Sequence, residues 1–102
     1  MHPRASELKV KVKYFAIARE LVGTPEQELD MPNGSCAKDL LDLLVAKYGE
    51  KFREFLYDPH TAQLRPNLQF LVGDKLLADL NGMSTVLTDG TAFAIIPPVG
   101  GG

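Results

Sequence analysis

Apolar and polar residues alternate near the start of the chain, where residues 8–15 read LKVKVKYF. A repeat of two residues predicts a β-strand that buries one face and leaves the other in solvent. The lysines are expected to form the solvated face, and contact with an acidic partner is the alternative. The apolar and basic positions are, in turn, Leu8, Val10, Val12 and Tyr14, and Lys9, Lys11 and Lys13.

A longer segment, residues 37–48, has the spacing of an amphipathic helix that ends at Gly49. Ser35 is expected to cap this helix by accepting a hydrogen bond from a free backbone N–H group. An apolar stripe on one side of a helix needs a sheet or another helix to cover it. The residues of the stripe are Ala37, Leu40, Leu41, Leu44, Val45 and Tyr48.

Two shorter segments also favour helix. Residues 16–22, AIARELV, are mostly good helix formers and stop at Gly23, so they predict one or two helical turns. Residues 50–57 predict a second short helix whose inward side chains are Phe52, Phe55 and Leu56.

Further strands are predicted on either side of the main helix. Residues 26–31 form the natural antiparallel partner of the first strand. Residues 68–72 predict a strand, and Gly73-Asp74 predicts a tight turn into residues 75–77. Residues 91–96, TAFAII, are apolar on both sides, which is typical of a central strand covered on two faces.

The order of these elements favours an α+β fold, a mixed sheet of about five strands wrapped on one main helix. Its expected limits are a loose leader at residues 1–7, a domain at residues 8–98 and a flexible glycine tail at residues 99–102. Pro97-Pro98 ends the last strand because proline cannot continue the pairing.

Length, charge and composition argue against several classes of function. The chain has 102 residues and a net charge of −2, which fits one domain without general attraction for nucleic acid. No apolar run approaches the roughly 18–20 residues that span a bilayer, so no membrane association is expected. A single cysteine excludes an internal disulfide and fits a reducing compartment, so the cytoplasm is the expected location.

Candidate catalytic groups are sparse. The chain contains no nucleophile elbow and no glycine-rich phosphate loop. Two histidines, His2 and His60, and one cysteine do not provide the four converging ligands of a structural metal site. Cys36 is read as a small residue near a helix cap, and a thiol activated by the helix dipole is the alternative. The sequence therefore indicates no self-contained active site, and we expect no enzyme activity from the chain alone.

The unusual feature is the end of the chain, where three glycines follow Pro-Pro and Val99. Residues 99–102, if extended, reach roughly 13–14 Å. Without Cβ atoms such a tail can pass through a narrow tunnel in another protein. A frayed terminus is the alternative interpretation.

Three stretches together resemble the ubiquitin-like sulfur-carrier family of MoaD and ThiS, and most of all its molybdopterin synthase small (sulfur carrier) subunits, the MoaD branch. They are VKVKYFAIARELVGT at residues 10–24, VLTDGTAFA at residues 86–94 and IIPPVGGG at residues 95–102. The resemblance covers essentially all of residues 8–102. It implies a β-grasp (ubiquitin-like) fold, in agreement with the order of elements.

The resemblance also implies a mechanism. An E1-like adenylating enzyme would use ATP to activate the carboxylate of Gly102, and a sulfur donor protein would convert the adenylate to a thiocarboxylate. The tail would then enter the large, MoaE-like subunit of molybdopterin synthase and give its sulfur to a pterin precursor. No permanently bound cofactor is implied.

Site residues follow from the motif positions. Gly101 and Gly102 match the terminal pair of the family, with Gly102 carrying the sulfur, while Gly100 stands where many members have another residue. The remaining tail and docking positions implied by the resemblance are Phe15, Arg19, Met83, Val86, Ile96, Pro97, Pro98 and Val99. For Phe15 and Ile96 the alternative is an ordinary place in the core, and for Arg19 the helix surface.

Other functions stay open at this point. The same glycine tail could be joined to lysines as a ubiquitin-like protein modifier, or the chain could be an interaction domain that only adopts the fold. Residues 58–67 are longer than in compact members and resemble carriers for cysteine synthesis or protein modification. A carrier for thiamine synthesis is a further option.

Overall fold

A computed structural model describes residues 7–97 of the chain. Three helices, five strands and two 3-10 turns follow one another in this part. In chain order they are β1 (Glu7–Tyr14), α1 (Ala16–Val22), β2 (Glu26–Pro32), α2 (Ala37–Tyr48), α3 (Glu50–Leu56), β3 (Gln69–Val72), β4 (Lys75–Leu76), 3-10 turns at Leu77–Asp79 and Gly82–Ser84, and β5 (Ala92–Ile96). The predicted elements are all present, and their bounds differ from the predicted ones by at most one residue at either end.

The strands form one mixed sheet in the order β2-β1-β5-β3-β4. β1 pairs antiparallel with β2 and parallel with β5, so the last strand lies at the centre of the sheet. β5 also pairs antiparallel with β3, which continues through a hairpin into β4. The predicted mixed sheet with a central last strand is confirmed.

The core lies on one face of the sheet only. The alternating residues of β1 are buried together with Phe93 and Ile95 of β5 and the inner stripe of α2. Ala94 points to the opposite face and is not part of this core cluster. Ala94 is nevertheless buried there, at 8% exposure, so the prediction that residues 91–96 are covered on two faces holds at the middle of β5 and fails at Ile96, which is only partly buried. The second face, which we call the outer face, carries the lysines of β1 and is less covered than the core face.

The basic side of β1 lies on the outer face, as predicted. Lys9 Nζ lies 2.9 Å from an Asp30 carboxylate oxygen on β2, and Lys11 Nζ lies 3.9 Å from Glu26. The Asp30 carboxylate raises the pKa of Lys9 because it accepts a hydrogen bond from the ammonium group. All four side chains are largely in solvent, where such pairs stabilise a fold only weakly.

The start of α2 differs from the prediction. Cys36, not Ser35, is the residue that precedes the first helical turn. Its backbone N–H donates to an Asp39 carboxylate oxygen at 2.9 Å, and its thiol lies 3.4 Å from the same oxygen. The Ser35 hydroxyl instead donates to the Pro32 carbonyl at 2.7 Å and closes the preceding turn. Sequence proximity could not tell a turn hydroxyl from a cap, because both use the same local bonds.

Hydrogen bonds join the longer segment, residues 58–67, to α3 and to Tyr57, the residue that follows α3. Tyr57 and Leu64 form an isolated antiparallel bridge, and the Arg65 backbone N–H donates to the Leu56 carbonyl at 2.9 Å. The Arg65 side chain donates through Nε to the Glu54 carbonyl at 2.9 Å. These bonds hold the segment against α3, on the helical side of the molecule.

Candidate functional site at the carboxyl ends of β1 and β5

The chain that leads to the glycine tail leaves the sheet at its central strand. β5 ends at Ile96, and Pro97 is the last residue that the structure describes. Pro98, Val99, Gly100, Gly101 and Gly102 lie outside the described residues. Their predicted roles remain predictions, whereas the surface around the root of the tail lies within residues 7–97.

Phe15 shares the end of the sheet from which the tail departs. β1 and β5 are parallel and pair up to Tyr14 and Ile95, so both strands finish at the same edge. Phe15 is still extended, with φ −131° and ψ 149°, and is 41% exposed. Because successive side chains of an extended segment alternate, Phe15 faces away from buried Tyr14 and toward the outer face.

Apolar side chains continue from this end across the outer face. Ile96 and Ala94 lie on the outer face of β5, where Ile96 is partly buried and Ala94 is buried, and the partly buried Leu71 of β3 pairs with Ala94. Leu76 of β4 pairs with Leu71 and is 36% exposed. We call these five residues, Phe15, Leu71, Leu76, Ala94 and Ile96, the outer apolar patch.

Leu71 and Leu76 were missed in the sequence analysis. The face that Leu76 occupies depends on the register of the hairpin around Gly73-Asp74, which pairs Leu71 with Leu76 and Val72 with Lys75. A strand of only two residues shows no alternation of its own. One indication was present in the sequence. Phe70 is a large apolar residue of the core, and the next residue of the strand, Leu71, must face the opposite side of the sheet.

Two of the predicted docking residues lie elsewhere. Val86 is exposed but forms a bridge with Cys36, beyond the end of β2 that pairs with Glu7. It is therefore near the amino end of β1, whereas the patch includes the carboxyl end. Met83 is partly buried against the core and lies beside α2. Met83 and Val86, two of the predicted docking positions, therefore do not lie on one surface with Phe15 and Ile96.

Positive charge lies next to the patch. Lys13 precedes the end of β1 on the outer face, and Arg19 is exposed on α1. Neither side chain has an ion-pair partner within residues 7–97. An exposed apolar surface flanked by unpaired cations suits a partner with apolar and acidic groups.

A partly buried hydrogen-bond network holds the end of β1. The hydroxyls of Tyr14 and Tyr48 each donate to the Gln27 side-chain oxygen at 2.6 Å, which links β1, α2 and β2. Burial raises the pKa of Tyr14, and the adjacent Tyr48 hydroxyl raises it further. Tyr14 is thus a neutral, fixed residue immediately before Phe15.

The described part of the chain gives little support for a metal site, a membrane-spanning helix or a reactive thiol. No group of three or more His, Cys, Asp or Glu residues there could hold a metal ion. None of the helices formed by residues 7–97 is long and apolar enough to cross a membrane. The thiol of Cys36 is partly buried beside the Asp39 carboxylate. Hydrogen bonds from the backbone and thiol of Cys36 hold the pKa of Asp39 below its usual range.

The chain matches the ThiS family over residues 12–102. It is 34% identical over 95 residues to the molybdopterin synthase sulfur carrier subunit of Drosophila erecta, an alignment that covers 93% of this chain and 92% of that protein. It is 28% identical over 95 residues to small archaeal modifier protein 3 of Haloferax volcanii, covering 93% of this chain and 100% of that protein.

A solved structure confirms the architecture. The solution structure of small archaeal modifier protein 1 from Methanosarcina acetivorans aligns with a TM-score of 0.79 and 32% identity, covering 94% of this chain and 98% of that one. The predicted β-grasp fold and the predicted resemblance to MoaD and ThiS are thereby confirmed. The chain belongs to the ThiS family of ubiquitin-like sulfur carriers.

Proposed function

We propose that this protein is the sulfur-carrying small subunit of a molybdopterin synthase, and that it has no catalytic activity alone. The observation that carries the proposal is the outer apolar patch beside the root of a tail that ends in Gly101 and Gly102. The similarity to a molybdopterin synthase sulfur carrier subunit supports this choice of pathway.

In the proposed reaction, the Gly102 carboxylate attacks the α-phosphorus of ATP on an E1-like adenylating enzyme, and pyrophosphate leaves. A sulfur nucleophile at the oxidation level of sulfide, supplied by a sulfur donor protein, then attacks the acyl carbon, and AMP leaves. The product is a thiocarboxylate, a soft nucleophile that can pass sulfur to a pterin precursor inside the large, MoaE-like subunit. A free carboxylate resists attack, so activation must come first.

In this proposal the outer apolar patch binds the partner while the tail reaches its active site. Burying a whole Leu or Phe side chain contributes about 1.5–3 kcal/mol. Phe15 and Leu76 are 41% and 36% exposed, so covering each would contribute on the order of 1 kcal/mol to binding. Lys13 and Arg19 would add charge complementarity at the rim, and Pro97 and Pro98 would direct the tail away from the sheet.

The test is intact-mass measurement after incubation with ATP, the adenylating enzyme and a sulfur source. We expect a species in which one oxygen is replaced by sulfur, and we expect none from a variant that lacks Gly102. Adding the large subunit and a pterin precursor should return the carrier to its original mass. If the full chain never acquires sulfur, the carrier function is refuted.

A second function is favoured by the similarity to two small archaeal modifier proteins. The activated Gly102 could be attacked by a lysine amine to form an isopeptide bond, with AMP leaving as before. Cell extracts probed for this chain would then show a ladder of high-mass conjugates that disappears when Gly102 is deleted. A ladder together with no sulfur transfer to the pterin would favour the modifier over the synthase subunit.

A further inference from the structure

An unusual backbone conformation separates two exposed apolar side chains next to the outer apolar patch. Ala16 has φ +52°, and it is one of two residues other than glycine with positive φ within residues 7–97. It lies between Phe15, 41% exposed, and Ile17, 57% exposed. Left-handed backbone is unfavourable for alanine, and such strain is often found at functional sites.

Buried neighbours fix this turn on both sides. Tyr14 is fully buried, and its backbone N–H donates to the Pro25 carbonyl at 2.8 Å. Ala18 is also fully buried, and its backbone N–H donates to the Phe15 carbonyl at 3.1 Å. The two exposed side chains therefore stand on a short segment that has little freedom to move.

The position of Ile17 has no explanation in the fold itself. The core side of α1 consists of Ala18 with the partly buried Leu21 and Val22, and Ile17 is not among the residues packed on the core. A β-branched residue also forms helix less readily than leucine or alanine. A single exposed isoleucine is common in soluble proteins, but this one lies two residues from Phe15 on a rigid turn.

We propose that Ile17 is a further docking residue, which with Phe15 forms a rigid apolar projection. Its partner is the protein that receives the tail, and the projection enters an apolar recess wide enough for two side chains. The inference rests on the proposed function, because continuity with the outer apolar patch identifies the partner. A projection held rigid before binding loses less conformational entropy when the complex forms.

The first test measures the dissociation constant of the full chain with the large synthase subunit from the same genome, by titration calorimetry. Ile17→Ala should weaken binding about tenfold, from the exposed area that the complex would cover, and Ile17→Glu should weaken it further. Neither change should lower the melting temperature, because alanine favours helix and a carboxylate is tolerated in the first helical turn.

The matched control is Leu43, an exposed apolar residue of α2 that is 37% exposed and lies outside the patch. Leu43→Ala and Leu43→Glu should leave the dissociation constant within twofold of the original protein. If the Ile17 variants bind the large subunit as tightly as the Leu43 variants do, the inference is overturned.

The second test addresses the backbone. Ala16→Gly should keep or raise the melting temperature, since glycine accepts positive φ, but should weaken binding about threefold because the turn becomes less rigid. Ala62, the other residue of this kind, has φ +62° and lies in the segment beside α3, so Ala62→Gly should not change the affinity. Unchanged affinity for Ala16→Gly would overturn the rigid projection.

The two proposals fail in different ways. If Phe15→Ala and Ile96→Ala weaken binding while the Ile17 variants do not, the docking function stands and only the further inference is lost. If the original protein binds neither the large subunit nor the adenylating enzyme, the proposed function and the inference are both refuted.

Discussion

The partly buried network around Gln27 allows a quantitative test of how the end of β1 is held. Two tyrosine hydroxyls donate to one amide oxygen at 2.6 Å, and Tyr14 is only 1% exposed. Gln27→Leu keeps a side chain of similar size but removes the shared acceptor. A buried donor left without an acceptor costs about 1–3 kcal/mol.

The expected loss lies in the lower half of that range. Tyr48 is partly exposed, so water can accept its proton. We therefore expect Gln27→Leu to lower the free energy of unfolding by about 1.5 kcal/mol, and the melting temperature by about 6–12 °C. Urea titration followed by circular dichroism measures the loss.

The decisive comparison is the double variant Tyr14→Phe/Gln27→Leu. Replacing both partners of a buried hydrogen bond by apolar groups can be almost neutral, so Tyr14→Phe should restore about half or more of the stability that Gln27→Leu removes. Glu28→Leu, on the exposed face of the same strand, serves as the control and should stay within about 0.5 kcal/mol of the original protein. If Tyr14→Phe destabilises the Gln27→Leu protein further, the network does not work as described.

Three further predictions test the end of α1, the start of α2 and the outer apolar patch. Gly23 ends α1 with φ +91° in open space, so Gly23→Ala should lower the unfolding free energy by about 1 kcal/mol; equal stability in thermal melts would contradict the need for glycine. Asp39 has a lowered pKa in the folded protein, so its contribution is present above the usual aspartate value of about 3.9 and is lost as pH falls below it. Melting curves of the original protein and Asp39→Asn should therefore differ at pH 7 and converge toward pH 3, and a constant gap would refute this linkage. Leu76→Glu should weaken binding of the large subunit at least tenfold with little change in melting temperature, and undiminished affinity would exclude Leu76 from the interface.

The sequence was sufficient where one local pattern determines the structure. The alternation through Val10 and Val12 identified β1 because a half-buried strand requires it, and the stripe of α2 was clear for the same reason. Ser35 and Cys36 were assigned wrongly because a turn and a cap compete for the same hydrogen bonds. The left-handed turn at Ala16 gave no signal at all, since alanine does not suggest positive φ.

The candidate site was less predictable because it is assembled across strands. Of the predicted docking positions, Phe15 and Ile96 lie at the same end of the sheet, whereas Val86 lies near the other end of β1. Leu71 and Leu76 were missed because their common face depends on hairpin register. The apolar run at residues 91–96 was taken as evidence of burial on both faces, which holds for Ala94 but not for Ile96, an outer side chain that is only partly buried.

The parallel pairing of β1 with β5 places the proposed docking surface beside the root of the glycine tail. In a parallel pair both strands end at the same edge, so the segment that follows β1 and the segment that follows β5 emerge side by side. Phe15 therefore lies beside the root of the tail even though more than eighty residues separate it from Pro97 along the chain. In an antiparallel pair the two would lie at opposite ends of a strand roughly 25 Å long, and a partner held at Phe15 would be out of reach of a tail of five residues. In the proposed function, a partner bound to the outer apolar patch would therefore lie beside Pro97, the last described residue before the glycine tail, so changes at the patch should affect sulfur transfer without touching the reacting carboxylate.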